Sequence, residues 1–187
     1  MDLSEQLSTT LIQSVNEAFS TTFSLSPKEH SVTVDLNKGI ICSIGMTGSL
    51  EGTIALSLSV SDACRLVAKM LGMETLEMSN DVIDGVGEII NMIAGGIKLK
   101  LSNTEYHFEI GIPSAVQGQG LKISSIEDSK TLSKGFSCED IVFCLLVIYK
   151  IHKPGEEHKS FAQRKSEHNA SAMLDSLLKN KKLPGAQ

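Results

Sequence analysis

The sequence predicts an α+β domain in which an antiparallel sheet has long helices packed on one face. Strand-like runs fall into two blocks, one before and one after a central pair of helical patterns, and short turns join neighbouring runs. Of the 187 residues, 41% are apolar and only 4% are aromatic, which predicts an aliphatic core. The sequence has no glycine-rich nucleotide-binding motif, which argues against a doubly wound α/β fold.

The first half of the chain predicts a helix, three strands and a second helix. Apolar residues from Leu7 to Phe19 recur with a helical period, so we expect a helix over Leu3–Phe23. Alternating and turn-bounded runs predict strands at residues 31–35, 39–46 and 51–60. Ser61 and Asp62 are suited to cap the next helix, and Gly72 is suited to end it.

The second half predicts a longer helix followed by three strands. The run from Ser79 to Asp81 is typical of a helix start, and the helical pattern continues to about Leu101. Strand-like runs follow at residues 106–112, 121–126 and 139–151. Because sequential strands are joined by short links, the sheet is expected to be antiparallel.

Composition and charge exclude several classes of function. The formal net charge of −5 disfavours binding to a phosphate backbone, so we expect no nucleic-acid partner. The longest apolar run, residues 141–149, is too short for a membrane-spanning helix, and we expect no membrane insertion. The N-terminus does not resemble a signal peptide, so the expected location is the cytoplasm. The four cysteines are scattered and none lies at metal-ligand spacing, so no metal site is expected in this chain.

A change in composition at Pro154 and Gly155 predicts a boundary. We expect a domain over residues 1–154 and a C-terminal extension over residues 155–187 that is partly helical or disordered. Apolar residues recur at helical spacing in that extension, which leaves open a loosely ordered terminus that docks weakly on the domain, or a helix that binds a partner or a membrane surface.

The most informative segment is the helix from Asp81 to Ile97. At about 100° per residue, Asp84, Glu88, Asn91 and Gly95 share one narrow face, about 60° wide, opposite an isoleucine- and valine-rich stripe. We call these four residues the polar ridge. A second Glu-x-x-Asn pair occurs at Glu77 and Asn80, so the pair alone is weak evidence. The full four-residue pattern is specific because it also requires the aspartate and the glycine.

Glycines beside the ridge strengthen this interpretation. Gly85, Gly87 and Gly96 flank the ridge, and each interior glycine costs a helix roughly 0.5–1 kcal/mol relative to alanine. We therefore expect the glycines to let another surface approach the helix closely. Tight packing against a strand is the alternative for one or two of them, Gly96 first.

The pattern Asp84-x-x-x-Glu88-x-x-Asn91-x-x-x-Gly95 resembles the signature of the CheC/CheX/FliY chemotaxis phosphatases. Only one copy of the motif is present, which resembles the CheX-like members, and the similarity covers roughly residues 1–152. The resemblance implies an antiparallel sheet with helices on one face, a homodimer, and a phosphatase that hydrolyses the phosphoaspartate of a CheY-like response regulator.

The resemblance and the chemistry together suggest a role for each ridge residue. Asn91 cannot act as a base, but its carboxamide can orient a water, so we expect it to act in the active site of a phosphorylated CheY-like receiver domain. Glu88 is expected to pair with a receiver lysine, and Gly95 to allow close approach. Asp84 either contacts the partner or favours the dipole at the helix start. Mg²⁺ is expected in the partner receiver, and no cofactor is expected in this chain.

Two other functions stay open at the level of sequence. The first is a non-enzymatic module that docks receiver domains or flagellar-switch components through the same ridge. The second is an oligomerisation scaffold whose ridge is merely solvated. The intact Glu88/Asn91 pair disfavours the first, and the glycines disfavour the second.

Overall fold

The computed structural model describes residues 2–30, 39–124 and 128–152. These residues form, in chain order, α1 Leu3–Phe23, β1 Lys28–Glu29, β2 Gly39–Gly48, β3 Leu50–Ser59, α2 Val60–Leu71, α3 Asn80–Leu101, β4 Phe108–Ile110, β5 Ser114–Gly118, β6 Lys130–Cys138 and β7 Ile141–Ile151. Among them no helix is long and apolar enough to cross a membrane.

All seven strands belong to one antiparallel sheet, in the order β1-β6-β7-β3-β2-β4, with β5 also pairing with β2. Alternate residues of β2, β3 and β7 are fully buried in one core with the apolar faces of the three helices. That core is aliphatic apart from a few rings, of which Phe19 and Phe143 are stacked with centroids 4.8 Å apart. The predicted α+β fold with helices on one face of an antiparallel sheet is therefore confirmed.

The helices agree closely with the sequence prediction. Helix α1 has the predicted bounds, and Gly72 ends α2 in the left-handed conformation (φ 68°) that glycine adopts without strain. The start of α2 was predicted two residues late. Its N-cap is Ser59, whose hydroxyl accepts a hydrogen bond from the backbone N–H of Asp62 at 3.0 Å.

The strand predictions failed between Pro113 and Cys138. Residues 121–124 are not a strand, so the prediction of a strand over 121–126 was wrong in its described part. The strands instead lie at Ser114–Gly118 and Lys130–Cys138. β5 is almost entirely exposed and shows no alternation, whereas β6 alternates weakly until its buried end at Phe136 and Cys138.

Several predictions lie outside the described residues. The strand predicted at residues 31–35, the domain boundary at 154 and the extension over 155–187 belong to this group and stay predictions.

Candidate functional site on helix α3

Helix α3 is a long helix that packs on the sheet between α1 and α2. Its buried face is a stripe of Val82, Val86, Ile89, Ile93 and Ile97, all fully buried. The period of this stripe orients the helix, because rotating α3 would expose the stripe to water. The opposite face must then point away from the core.

The four ridge residues lie on that outward face. Asp84, Glu88 and Asn91 are exposed and Gly95 is partly exposed, as the helical wheel predicts. At a rise of about 1.5 Å per residue the ridge is roughly 16 Å long. None of the three side chains has a hydrogen bond or ion pair with another residue of the described chain. Their polar atoms are therefore free to bind a ligand or a partner.

The position of Asp84 in the helix bears on its role. The helix begins at Asn80, and the acidic residue in its first turn is Asp81. Because the interaction with the helix dipole is confined to the first turn, Asp81 fulfils that role and Asp84 does not. The structure thus removes the dipole explanation that the sequence left open for Asp84.

The glycines of α3 divide into two kinds. A Cβ added at Gly85 would come within 2.6 Å of a Val67 methyl on α2, and one at Gly96 would come within 3.0 Å of the Ser14 hydroxyl on α1. These two glycines allow close packing against helices, so the expectation that Gly85 clears space for a visiting surface was wrong, and so was the alternative of packing against a strand. A Cβ at Gly95 would meet nothing within 4 Å. Gly95 therefore has no packing role within the described domain.

Contacts on either side keep α3 fixed. On one side, Thr22 of α1 donates a hydrogen bond to the sulfur of Met92 at 3.4 Å, and Lys100 forms an ion pair with Glu17. On the other side, Lys98 forms an ion pair with Glu109 of β4. The backbone of α3 is thus held between α1 and the sheet edge, and its outward face is presented on a rigid element.

The chemistry available on the ridge is limited. A carboxamide can donate and accept hydrogen bonds at the same time, and two carboxylates can accept hydrogen bonds from a cation, but the ridge holds no hydroxyl, thiol or amine nucleophile. Among the described residues, no group of three or more His, Cys, Asp or Glu side chains could hold a metal ion. The ridge can position a water or pair with a cation on another molecule.

Sequence reasoning missed one neighbour of the ridge. Pro113, in the link between β4 and β5, lies beside Gly87, and a Cβ added at Gly87 would be 3.9 Å from the proline Cβ. The Ile112-Pro113 dipeptide is visible in the sequence. Its position beside α3 depends on the pairing of β4 and β5 with β2, which the sequence pattern did not indicate.

The structure defines a class of α+β proteins with an antiparallel sheet and one helix that exposes a polar face flanked by glycines. The family model for the chemotaxis phosphatase CheX matches residues 40–137, which include the whole ridge. The chain belongs to the CheX family.

Individual relatives agree with this assignment. The CheY-P phosphatase CheX of Thermotoga maritima is 32% identical over 120 residues, covering 62% of this chain and 77% of the relative. The structure of chemotaxis protein CheX from Vibrio vulnificus matches 80% of this chain and 100% of its own, with a TM-score of 0.69 and 23% identity. The Borrelia burgdorferi CheX–CheY–BeF₃–Mg²⁺ complex has a CheX-like chain with a TM-score of 0.62 and 19% identity, covering 76% of this chain and 96% of its own. At these identities the two structures establish a shared fold.

Proposed function

We propose that this chain accelerates hydrolysis of the phosphoaspartate of a CheY-like receiver domain, with Asn91 orienting the attacking water. The observation that carries the proposal is the exposed carboxamide of Asn91, unpaired within the described residues, on a rigid helix of a CheX-family chain. The relative from Thermotoga maritima is named as a CheY-P phosphatase, which supports the same substrate class.

The reaction requires little of this chain. A water oxygen attacks the phosphorus of the acyl phosphate, and the bond from phosphorus to the aspartate oxygen breaks. The aspartate leaves as a carboxylate, and both protons of the water end on the inorganic phosphate. The Mg²⁺ expected in the receiver neutralises the developing charge, as it does in other phosphoryl transfers. The Asn91 carboxamide holds the water in line, since its oxygen accepts a hydrogen bond from that water.

Glu88 and Asp84 serve binding in this proposal. Glu88 is exposed one helical turn before Asn91, so a receiver lysine that pairs with it fixes the register of the two domains. Asp84 lies a further turn away and contacts the partner at the end of the ridge. Gly95 has open space around it and permits close approach of the partner backbone. A homodimer and a cytoplasmic location stay predictions.

The test is a phosphate-release assay with CheY-like receivers of the same organism, phosphorylated by acetyl phosphate. Asn91→Ala is expected to reduce the acceleration by about 100-fold or more, since loss of one preorganised polar group at a reacting centre costs roughly 3–4 kcal/mol. Gln13→Ala is the matched control, because Gln13 is an exposed carboxamide on α1. It should retain full activity.

Two outcomes would contradict the proposal. If Asn91→Ala accelerates hydrolysis as well as the unmodified chain, the carboxamide has no such role. If the unmodified chain binds an activated receiver without shortening the lifetime of its phosphoaspartate, the chain is a docking module.

A further inference from the structure

The edge of the sheet beside α3 contains a bulge. Strand β4 pairs with β2 up to Ile110, opposite Met46, and β5 resumes the pairing at Ser114, opposite Ser43. Three residues, 111–113, therefore face the two residues of β2 between these pairs. Such an extra residue bends a strand and redirects its side chains. The bulge is held in place, because the N–H of Gly111 donates a hydrogen bond to the carbonyl of Gly45 at 3.0 Å.

The bulge presents an isoleucine to solvent. Ile112 is 88% exposed, although burial of an isoleucine side chain is strongly favourable. The next residue, Pro113, lies beside Gly87 on the flank of the polar ridge. The bulge thus places the exposed Ile112 one residue from the contact between Pro113 and the flank of the ridge.

A second exposed apolar residue lies at the other end of the ridge. Leu99 is one helical turn beyond Gly95 on the same face of α3, and it is 73% exposed. Ile112 and Leu99 are the two most exposed of the large apolar side chains in the described residues. Two exposed apolar side chains on either side of the polar ridge are typical of an interaction surface, in which a few such side chains contribute much of the binding energy.

We propose that Ile112 and Leu99 are apolar anchors for the receiver domain whose phosphoaspartate is presented to Asn91. This inference rests on the proposed function, since it takes the same receiver as the partner. A specific interface buries about 800 Å² on each side, which corresponds to a patch of roughly 16 Å radius. From the helical rise and the Pro113–Gly87 contact, both residues lie within roughly 15 Å of Asn91. A domain centred on Asn91 therefore covers both anchors.

The two anchors also supply the apolar contacts that the ridge lacks. Ion pairs weaken as the salt concentration rises, so an interface that depended on Glu88 and Asp84 alone would be sensitive to ionic strength. Burial of two aliphatic side chains adds affinity that salt does not screen. The ridge then determines the register of the complex, and the anchors determine much of its lifetime.

The experiment measures binding separately from catalysis. Ile112→Ala and Leu99→Ala are titrated with CheY of the same organism, activated with beryllofluoride and Mg²⁺, by isothermal calorimetry. Each variant is expected to raise Kd by about 5- to 30-fold. In the hydrolysis assay KM should rise in parallel while kcat at saturating receiver is unchanged, because neither side chain contacts the reacting phosphate.

Val116→Ala is the matched control. Val116 is 58% exposed, but it pairs with Ile41 on the side of the sheet away from the helices, so it lies outside the proposed patch. Its Kd should equal that of the unmodified chain. Because all three residues are exposed, each substitution should leave thermal unfolding nearly unchanged.

The outcomes separate this inference from the function on which it rests. Equal Kd values for the unmodified chain, Ile112→Ala and Leu99→Ala would overturn the inference even if Asn91→Ala abolishes hydrolysis. A change in oligomeric state of Ile112→Ala or Leu99→Ala, seen by analytical ultracentrifugation, with no change in Kd would assign the pair to a contact between copies of the chain. Receiver binding that depends on both anchors, without accelerated hydrolysis, would support the anchors and overturn the proposed function.

Discussion

The two long helices of the domain, α1 and α3, both pack on the sheet but differ in their glycine content. Both have more than twenty residues and both bury an apolar stripe in the one core. Helix α1 contains no glycine, whereas α3 contains four in its central part. The contact between Gly96 and Ser14 explains one of these glycines, and the contact between Gly85 and Val67 explains another. Gly95 has no such explanation, so α3 differs from α1 on its outer face as well as its inner one.

The outer faces of α1 and α3 look similar in composition. Each exposes carboxylates and a carboxamide, namely Glu5 and Gln13 on α1 and Glu88 and Asn91 on α3. Only on α3 does a glycine with open space follow the carboxamide by one turn, and only there does an apolar bulge lie alongside. The comparison teaches that backbone access and neighbouring apolar surface, more than polar residues, distinguish a docking face from a solvated one.

Substitution of Glu88, the carboxylate one turn before Asn91, tests this comparison and should have the largest effect of the three substitutions described next. Glu88→Ala should raise the KM for phosphorylated receiver by roughly 10- to 100-fold, because a hydrogen bond to a charged group contributes about 1.5–3 kcal/mol. The measurement is the initial rate of phosphate release at varied receiver concentration. Glu5→Ala on α1 is the control and should leave KM unchanged. An equal effect of the two substitutions would remove the distinction between the helices.

Gly85, on the buried face of α3, tests whether the glycines on that face are needed for close helix packing. Gly85→Ala should lower the free energy of unfolding by about 1–2 kcal/mol, since the overpacking against Val67 exceeds the gain in helix propensity. Chemical denaturation measures this change. In the double variant with Val67→Ala the loss should be smaller than the sum of the two single losses. Strict additivity would mean that Val67 does not restrict this position.

The outer-face glycine is expected to have the smallest effect on stability and the opposite sign. Gly95→Ala should raise the free energy of unfolding by roughly 0.5–1 kcal/mol, because alanine is the better helix former and its methyl group has open space. If a partner approaches the backbone here, KM for the receiver should rise at the same time. A variant that is more stable and equally active would leave Gly95 without a functional role.

Sequence patterns were sufficient to predict the helices and strands that bury one face in the core. Helix α1 and the long strand β7 each have a regular apolar pattern, and the glycine that ends α2 is a direct stop signal. The edge strand β5 has no such pattern, since it is almost entirely exposed, and β6, which lies between β1 and β7, fully buries only Phe136 and Cys138. The polar ridge could be read from spacing alone, because a helix with one apolar stripe has only one outward face.

The amino-acid sequence thus determined which residues of α3 face the core and which face outward. Its apolar and polar residues recur with the same helical period but on opposite faces. Only the tertiary structure shows that Gly85 and Gly96 make room for neighbouring helices, that Gly95 does not, and that Pro113 of the bulge lies beside the ridge. The physical reason is that side-chain periodicity is a local property of one element. Clearance around a glycine and the neighbours of a bulge depend on elements that are distant along the chain and meet only in the folded domain.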